Sequence, residues 1–153
     1  MQGINIMKIG ELAKVTDTQI ETIRYYEREG LLTSPARTEG NFRIYRDIHV
    51  ERLTFVRHCR SLGMSLKEIR ILLRFKDSPA ENCDDVNRLV DIHIDDVSKR
   101  IRELHALKAQ LKVLRERCHG GLDVAHCGIL KELSQTSSPI ATHEGGHTHV
   151  RMV

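Results

Sequence analysis

A chain of 153 residues has room for one core of ordinary size, or for a small module plus an extended element, and excludes two large independent domains. With 40% hydrophobic residues, 29% charged, only 4% aromatic and no Trp, it fits a helix-rich chain better than a sheet-rich one. The net charge of +3 is unevenly divided: residues 1–76 carry 14 Lys and Arg against 9 Asp and Glu, whereas residues 77–153 carry 10 against 12, so a polyanionic partner is permitted for the front half without being proved. Residues 1–6 precede a second methionine, Met7, and read as an upstream start or an unstructured leader.

Ile9–Lys14 is a short helical segment, and Thr18-x-x-Glu21 has the form of a capping box opening a second helix that runs to about Glu29, with Gly30 where it should stop. Two short helices joined by the polar turn Val15–Thr18 outline a helix-turn-helix whose second member carries Thr22, Arg24, Tyr25 and Tyr26. Ser34-Pro35 then breaks the chain, and Arg37 to Tyr45 reads as two short strands about a Glu39-Gly40-Asn41 turn. Such a hairpin is a wing, carrying Arg37, Phe42, Arg43 and Tyr45, guanidinium and aromatic groups suited to phosphates and sugars; the alternative is a surface hairpin with incidental charge. Asp47 is placed to cap a third helix through Val50, Leu53, Val56 and Leu62 to Gly63, and Ser65-x-x-Glu68 caps a fourth to about Phe75. A boundary near Asp77-Ser78-Pro79 would close this small globule, so residues 7–76 are expected to form a winged helix-turn-helix domain.

From Asp84 to Arg117 there is neither Gly nor Pro, and Val90, Ile94, Val97, Ile101, Leu104, Leu107, Leu111 and Leu114 recur at steps of three or four. One exposed helix of that length cannot bury its own stripe, which implies a partner helix, most simply from a second copy of the chain. The expected architecture is therefore mainly α: the winged module, a dimerisation helix at 84–118 pairing as an antiparallel coiled coil in a homodimer, a loop with a short helix near Ile129–Leu133 at 118–133, and a polar His-containing tail at 134–153. No stretch approaches the roughly 18 apolar residues of a membrane span, and the first residues lack a signal-peptide core, so a cytoplasmic protein with no membrane partner is expected.

In that compartment four cysteines are expected as thiols. Cys83 lies just before the long helix and Cys118 at its far end, separated at ~1.5 Å per residue by on the order of 50 Å. Antiparallel pairing would instead bring Cys83 of one chain to Cys118 of the other, and the Gly120-Gly121 loop can return Cys127 beside them. Three thiolates select soft or borderline ions. Cd(II) would take a fourth ligand, with His119, His126, a carboxylate or water as candidates, whereas Pb(II) can be satisfied by three sulfurs. His143, His147 and His149, with His93, are candidates for a second, weaker metal site, the alternative being a solvated tail. Cys59, inside an apolar helical pattern, reads as a small buried thiol. No acid is evident to orient His119 beside Cys118, so an enzyme is not expected.

These motifs carry a resemblance. KIGELAKVT, ETIRYYEREGLL, RTEGNFRIY, HVERLTFVRHCRSLGMSLKEIRILL, VNRLVDIHIDDVSKRI and the Cys118–Cys127 loop resemble, from Met7 to about Leu133, the MerR family of dimeric regulators, and within it the cadmium- and lead-responsive CadR and PbrR type. The resemblance implies that Arg24, Tyr26, Arg37, Phe42, Arg43 and Tyr45 contact DNA, with Arg24 nearest the bases, and that Cys83, Cys118 and Cys127 bind the effector. It also implies promoter DNA and RNA polymerase as partners, with metal binding distorting an overlong promoter spacer so that repression becomes activation. Cys83 disfavours the monovalent copper branch, where serine stands. His119, in place of a further Cys, weakens Zn(II), and the eight-residue interval between Cys118 and Cys127 keeps Hg(II) open. A thiol redox regulator using Cys118 and Cys127, and a metal-buffering protein, are the remaining alternatives.

Overall fold

The computed structural model describes residues 6–80, 82–118, 120–121 and 123–135. They form α1 (Ile9–Val15), α2 (Ile20–Arg28), β1 (Ala36–Arg37), β2 (Arg43–Ile44), α3 (Asp47–Ser61), α4 (Leu66–Asp77), α5 (Asp84–Glu116), a 3-10 turn at Val124–His126 and α6 (Gly128–Ser134). The chain divides into two compact units, one reaching to Asp96 and the other beginning at Val97. That division falls within α5, whose first turns group with the N-terminal unit.

In that unit Leu12, Ile23, Leu31, Tyr45, Leu53, Val56 and Ile69 are wholly buried, so α1 to α4 and the end of the wing share one core. Two helix ends explain how so short a chain turns back on itself. After α2, Gly30 takes φ +71°, its N–H donates to Glu27 O, and the N–H of Leu31 donates to Tyr26 O; after α3, Gly63 at φ +80° repeats the pattern, with Met64 N–H donating to Cys59 O. Both are Schellman endings, and in both the residue after the glycine is buried. Guanidinium groups then fasten the returning segments. Arg52 donates from Nε to Leu31 O (2.7 Å) and pairs with Asp77, while Arg70 donates to Glu29 O and its carboxylate.

Two helix starts differ from the sequence expectation. The Thr18–Glu21 box does not form, because Thr18 Oγ1 donates back to Thr16 O and Gln19 takes the N-cap position of α2. Asp47 is the first residue of α3 and not its cap; the N–H of Arg46 is satisfied by Nδ1 of His49 at 3.0 Å. The Ser65–Glu68 box does form, with Ser65 N–H donating to Glu68 Oε2 at 2.7 Å and Glu68 N–H to Ser65 Oγ at 3.3 Å.

His49 is only 5% exposed, and burial pushes its pKa below the ordinary value of about 6.5. The unfolded chain therefore binds a proton that the folded one resists. Stability from this group is complete above pH ~6.5 and is lost as pH falls through the lower folded value. Protonating Nδ1 would also break the cap of α3. Thermal melts should fall below pH ~6.5 in the wild type, and His49→Gln, whose side-chain oxygen can still accept from Arg46, should flatten that fall. An unchanged acid slope in the variant would show that other groups set it.

In the second unit the remainder of α5 ends at Glu116, Gly120 and Gly121 take φ +70° and +76°, and α6 begins at Gly128. Gly128 approaches the end of α5 so closely that an added Cβ would lie 2.4 Å from Arg117 O, and Arg117 Nε pairs with Glu132 at 3.0 Å. Only glycine permits that approach. Among the described residues no helix is long and apolar enough to cross a membrane.

Candidate functional site

The wing is a two-stranded antiparallel ribbon with Ala36 opposite Ile44 and Arg37 opposite Arg43. Its turn is held by Asn41, at φ +64°, and by Arg37, which donates to both the carbonyl and the side-chain oxygen of Asn41 (3.3 and 3.0 Å). A further bridge joins Tyr45 to Met7, anchoring the ribbon's base to the chain that enters α1. Glu27 on α2 ties the wing to the helix-turn-helix: it accepts from the Tyr45 hydroxyl and pairs with Arg43 Nε at 3.5 Å. Burial, then the Glu27 bond, pushes the Tyr45 phenol well above its usual range, so it stays protonated as donor. Arg57 fixes the turn of the helix-turn-helix by donating to Thr16 O and pairing with Asp17 at 3.4 Å.

The eight sequence candidates for DNA contact separate by exposure. Arg24, Tyr25, Arg37, Phe42 and Arg43 are exposed, Phe42 at 72%, and Thr22 is half-buried. Tyr26 and Tyr45 are buried at 8% and 0%. Their rings join the core, and Tyr45 spends its hydroxyl on Glu27, so they lie beneath the exposed side chains. Arg43 is partly committed, and Arg28 lies over the Tyr25 ring at 6.0 Å from its centroid. Sequence reasoning missed Glu27 and Arg57, which position this surface without belonging to it; their partners lie 16 to 41 residues away in the chain.

The cysteines also separate. Cys59 is buried in the core, where burial raises its thiol pKa, as expected for a structural thiol. Cys83 is exposed immediately before α5, and Cys118 and Cys127 are half-buried. Cys118 follows Arg117, and Cys127 precedes Gly128, so the close approach of Gly128 to Arg117 O closes the loop with these two thiols flanking the contact. Three His, Cys, Asp or Glu side chains able to hold a metal do not converge among the described residues of a single chain. Of the candidate histidines, His126 bonds through Nδ1 to Asp123. His93 is engaged through both ring nitrogens, with Glu68 Oε1 at 2.8 Å and Leu62 O at 3.0 Å. His119, His143, His147 and His149 lie outside the described residues.

On α5, Val90, Ile94, Val97, Ile101, Leu104, Leu107 and Leu111 are 36 to 56% exposed, and the helix buries none of its described residues.

Residues 7–76 match the family model described as MerR HTH family regulatory protein, and residues 50–114 match that described as MerR, DNA binding. The chain is 47% identical over 111 residues to the HTH-type transcriptional regulator ZntR homolog of Haemophilus influenzae, covering 72% of this chain and 82% of that one. It belongs to the MerR family. This MerR-family chain is also 38% identical over 126 residues to the mercuric resistance operon regulatory protein of Bacillus cereus, covering 82% of this chain and 96% of the relative. Among solved structures it is similar to the transcription regulator PbrR691 from Ralstonia metallidurans CH34 in complex with lead(II), with a TM-score of 0.76 and 48% identity, covering 84% of this chain and 99% of that one.

Proposed function

We propose that this MerR-family chain is a dimeric, metal-responsive transcription regulator that binds promoter DNA through α2 and the wing, and senses Cd(II) or Pb(II) through a three-cysteine site shared between subunits. The observation that carries the reading is the symmetry of the exposed stripe on α5. A two-fold axis crossing the helix between Arg100 and Ile101 maps Val90 onto Leu111, Ile94 onto Leu107 and Val97 onto Leu104. An antiparallel pair of identical helices in that register sets these six residues against one another in apolar pairs, with Ile101 opposite Arg100 at the centre. The same operation maps Cys83 onto Cys118. The register favoured by the hydrophobic stripe is thus the one that joins the thiols, with Cys127 brought alongside by the loop.

The donor set suits a soft divalent ion. Three thiols, exposed or half-buried, are open to one, and thiolate excludes magnesium and calcium. Metal held there would add bonds between chains and so stabilise one relative pose of the two DNA-binding bodies. His93 is left out of the ligand set because both its nitrogens are occupied. Pb(II) and Cd(II) are favoured by the likeness to the lead-complexed regulator at 48% identity, with Zn(II) and Hg(II) as the competing effectors given the other relatives. Arg24, Tyr25, Thr22, Arg37, Phe42 and Arg43 are the proposed DNA contacts. Activation through distortion of the promoter, with RNA polymerase on the same DNA, belongs to the same reading: a changed pose is transmitted to the duplex as strain.

Competitive titration of the reduced protein with Cd(II), Pb(II), Hg(II) and Zn(II), followed by thiolate-to-metal ultraviolet absorption, tests this. One ion per triad is expected, with Pb(II) or Cd(II) displacing Zn(II) and the band lost in Cys83→Ser. Absence of any thiolate band would sink metal sensing and leave a thiol redox regulator as the better reading.

A further inference from the structure

His93 on α5 reaches back to the DNA-binding body, and its two bonds fall on two different helices. Nε2 meets the carbonyl of Leu62, the C-cap of α3, at 3.0 Å, and Nδ1 meets Oε1 of Glu68, in the first turn of α4, at 2.8 Å. Carbonyl and carboxylate oxygens only accept, so making both bonds at once takes a proton on each ring nitrogen. Glu68 is itself fixed: its other oxygen accepts from the N–H and hydroxyl of Ser65 in the capping box. Burial alone would raise its pKa, but the Ser65 bonds and the His93 interactions outweigh burial and hold it below the usual carboxylate value. Both side chains are largely shielded from solvent, at 14% and 21% exposure. The ring lies beside Gly63, the position of an added Cβ being in ordinary contact with Nε2 at 4.0 Å.

We propose that His93 is a positioning residue that couples the DNA-binding body to the dimerisation helix: it pins the α3–α4 junction to α5, so that a change in the pose of α5 moves that junction with it. This rests on the metal-sensing reading above, but concerns a residue that binds neither metal nor DNA. A ring bonded to one helix alone would stabilise locally. One that joins the end of α3, the start of α4 and the side of α5 makes all three move as one piece. Without it, a pose selected at the cysteines has a weaker route to α2 and the wing.

The test uses the full-length dimer, labelled through an azidophenylalanine placed at Glu39 in the exposed wing turn, with Pb(II) as the probe and wing-to-wing distance read by resonance energy transfer. Wild type should show a distance shift that saturates with the thiolate band. His93→Leu should keep the thiolate band and reduce the shift by at least about fivefold, the lower end of ordinary coupling between sites. Glu68→Gln, which retains a capping-box side chain, should reduce it too. His93→Arg, with N–H donors for both acceptors, should restore it. A merely structural role would lower the melting temperature of His93→Leu while leaving the shift intact, and that result overturns the proposal. A wild type with no thiolate band overturns the parent reading first and is distinguished by that band.

Discussion

Cys118→Ser is expected to lower the affinity for Pb(II) or Cd(II) by roughly two to three orders of magnitude and to abolish the metal response, while the reduced protein still retards the same DNA. The magnitude follows from removing one of a few strong ligands from a site whose whole binding energy is about 10–16 kcal/mol in comparable thiolate centres. The sparing of DNA binding follows from position: Cys118 lies beyond the end of α5, whereas the proposed contacts sit on α2 and the wing. The variant becomes more informative when mixed with Cys83→Ser. If each site takes Cys83 from one chain and Cys118 with Cys127 from the other, a mixed dimer contains one ruined site and one intact site. Unfolding and refolding the two variants together should therefore recover metal binding at about one site in four, the share expected for random pairing in a two-fold dimer. Sites built within a single chain would recover none. Affinity is to be followed by the thiolate band and DNA binding by gel retardation; a mixture as inactive as its parents would refute the shared site.

What was readable in advance depended on whether the deciding interaction was local. The limits of α5 were plain because no Gly or Pro interrupts it, and the start of α4 because Ser65 and Glu68 form their box within four residues. Cys59 was placed correctly as a buried thiol from its apolar surroundings alone. The start of α3 was misplaced because the group that caps Arg46 is a histidine ring nitrogen, outside the usual list of capping side chains. The burial of Tyr26 and Tyr45 was hidden for a different reason. An aromatic ring on an amphipathic helix or ribbon serves the core or the surface equally well by type, and only the tertiary arrangement puts Glu27 beneath the wing to receive the Tyr45 hydroxyl. His93 was read as a metal candidate because histidine is a common ligand. Its partners at Glu68 and Leu62 lie 25 and 31 residues back in the chain, where no spacing rule on α5 could find them.

The symmetry of α5 also makes one substitution act twice. Ile101 stands one position from the proposed two-fold axis, opposite Arg100 of the other chain and close to its own equivalent, so Ile101→Glu would bring two carboxylates into the middle of the seam in place of its central apolar side chains. Taking a charge out of water costs several kcal/mol even beside an arginine, the two carboxylates repel, and the central apolar contact is lost, so the pair of helices should separate rather than adapt. Sedimentation should then report the 17.6 kDa chain instead of a dimer at micromolar concentration. The N-terminal core should be unaffected, because it closes around Leu12, Ile23, Leu53 and Ile69 and draws nothing from Ile101. Separation should also remove metal binding even though all three cysteines remain, since the proposed triad takes Cys83 from one chain and Cys118 with Cys127 from the other. A monomeric Ile101→Glu protein that still gave the full thiolate band would mean that the cysteines meet within one chain. Loss of the band together with the dimer would tie sensing to the same contact that holds the two DNA-binding bodies together.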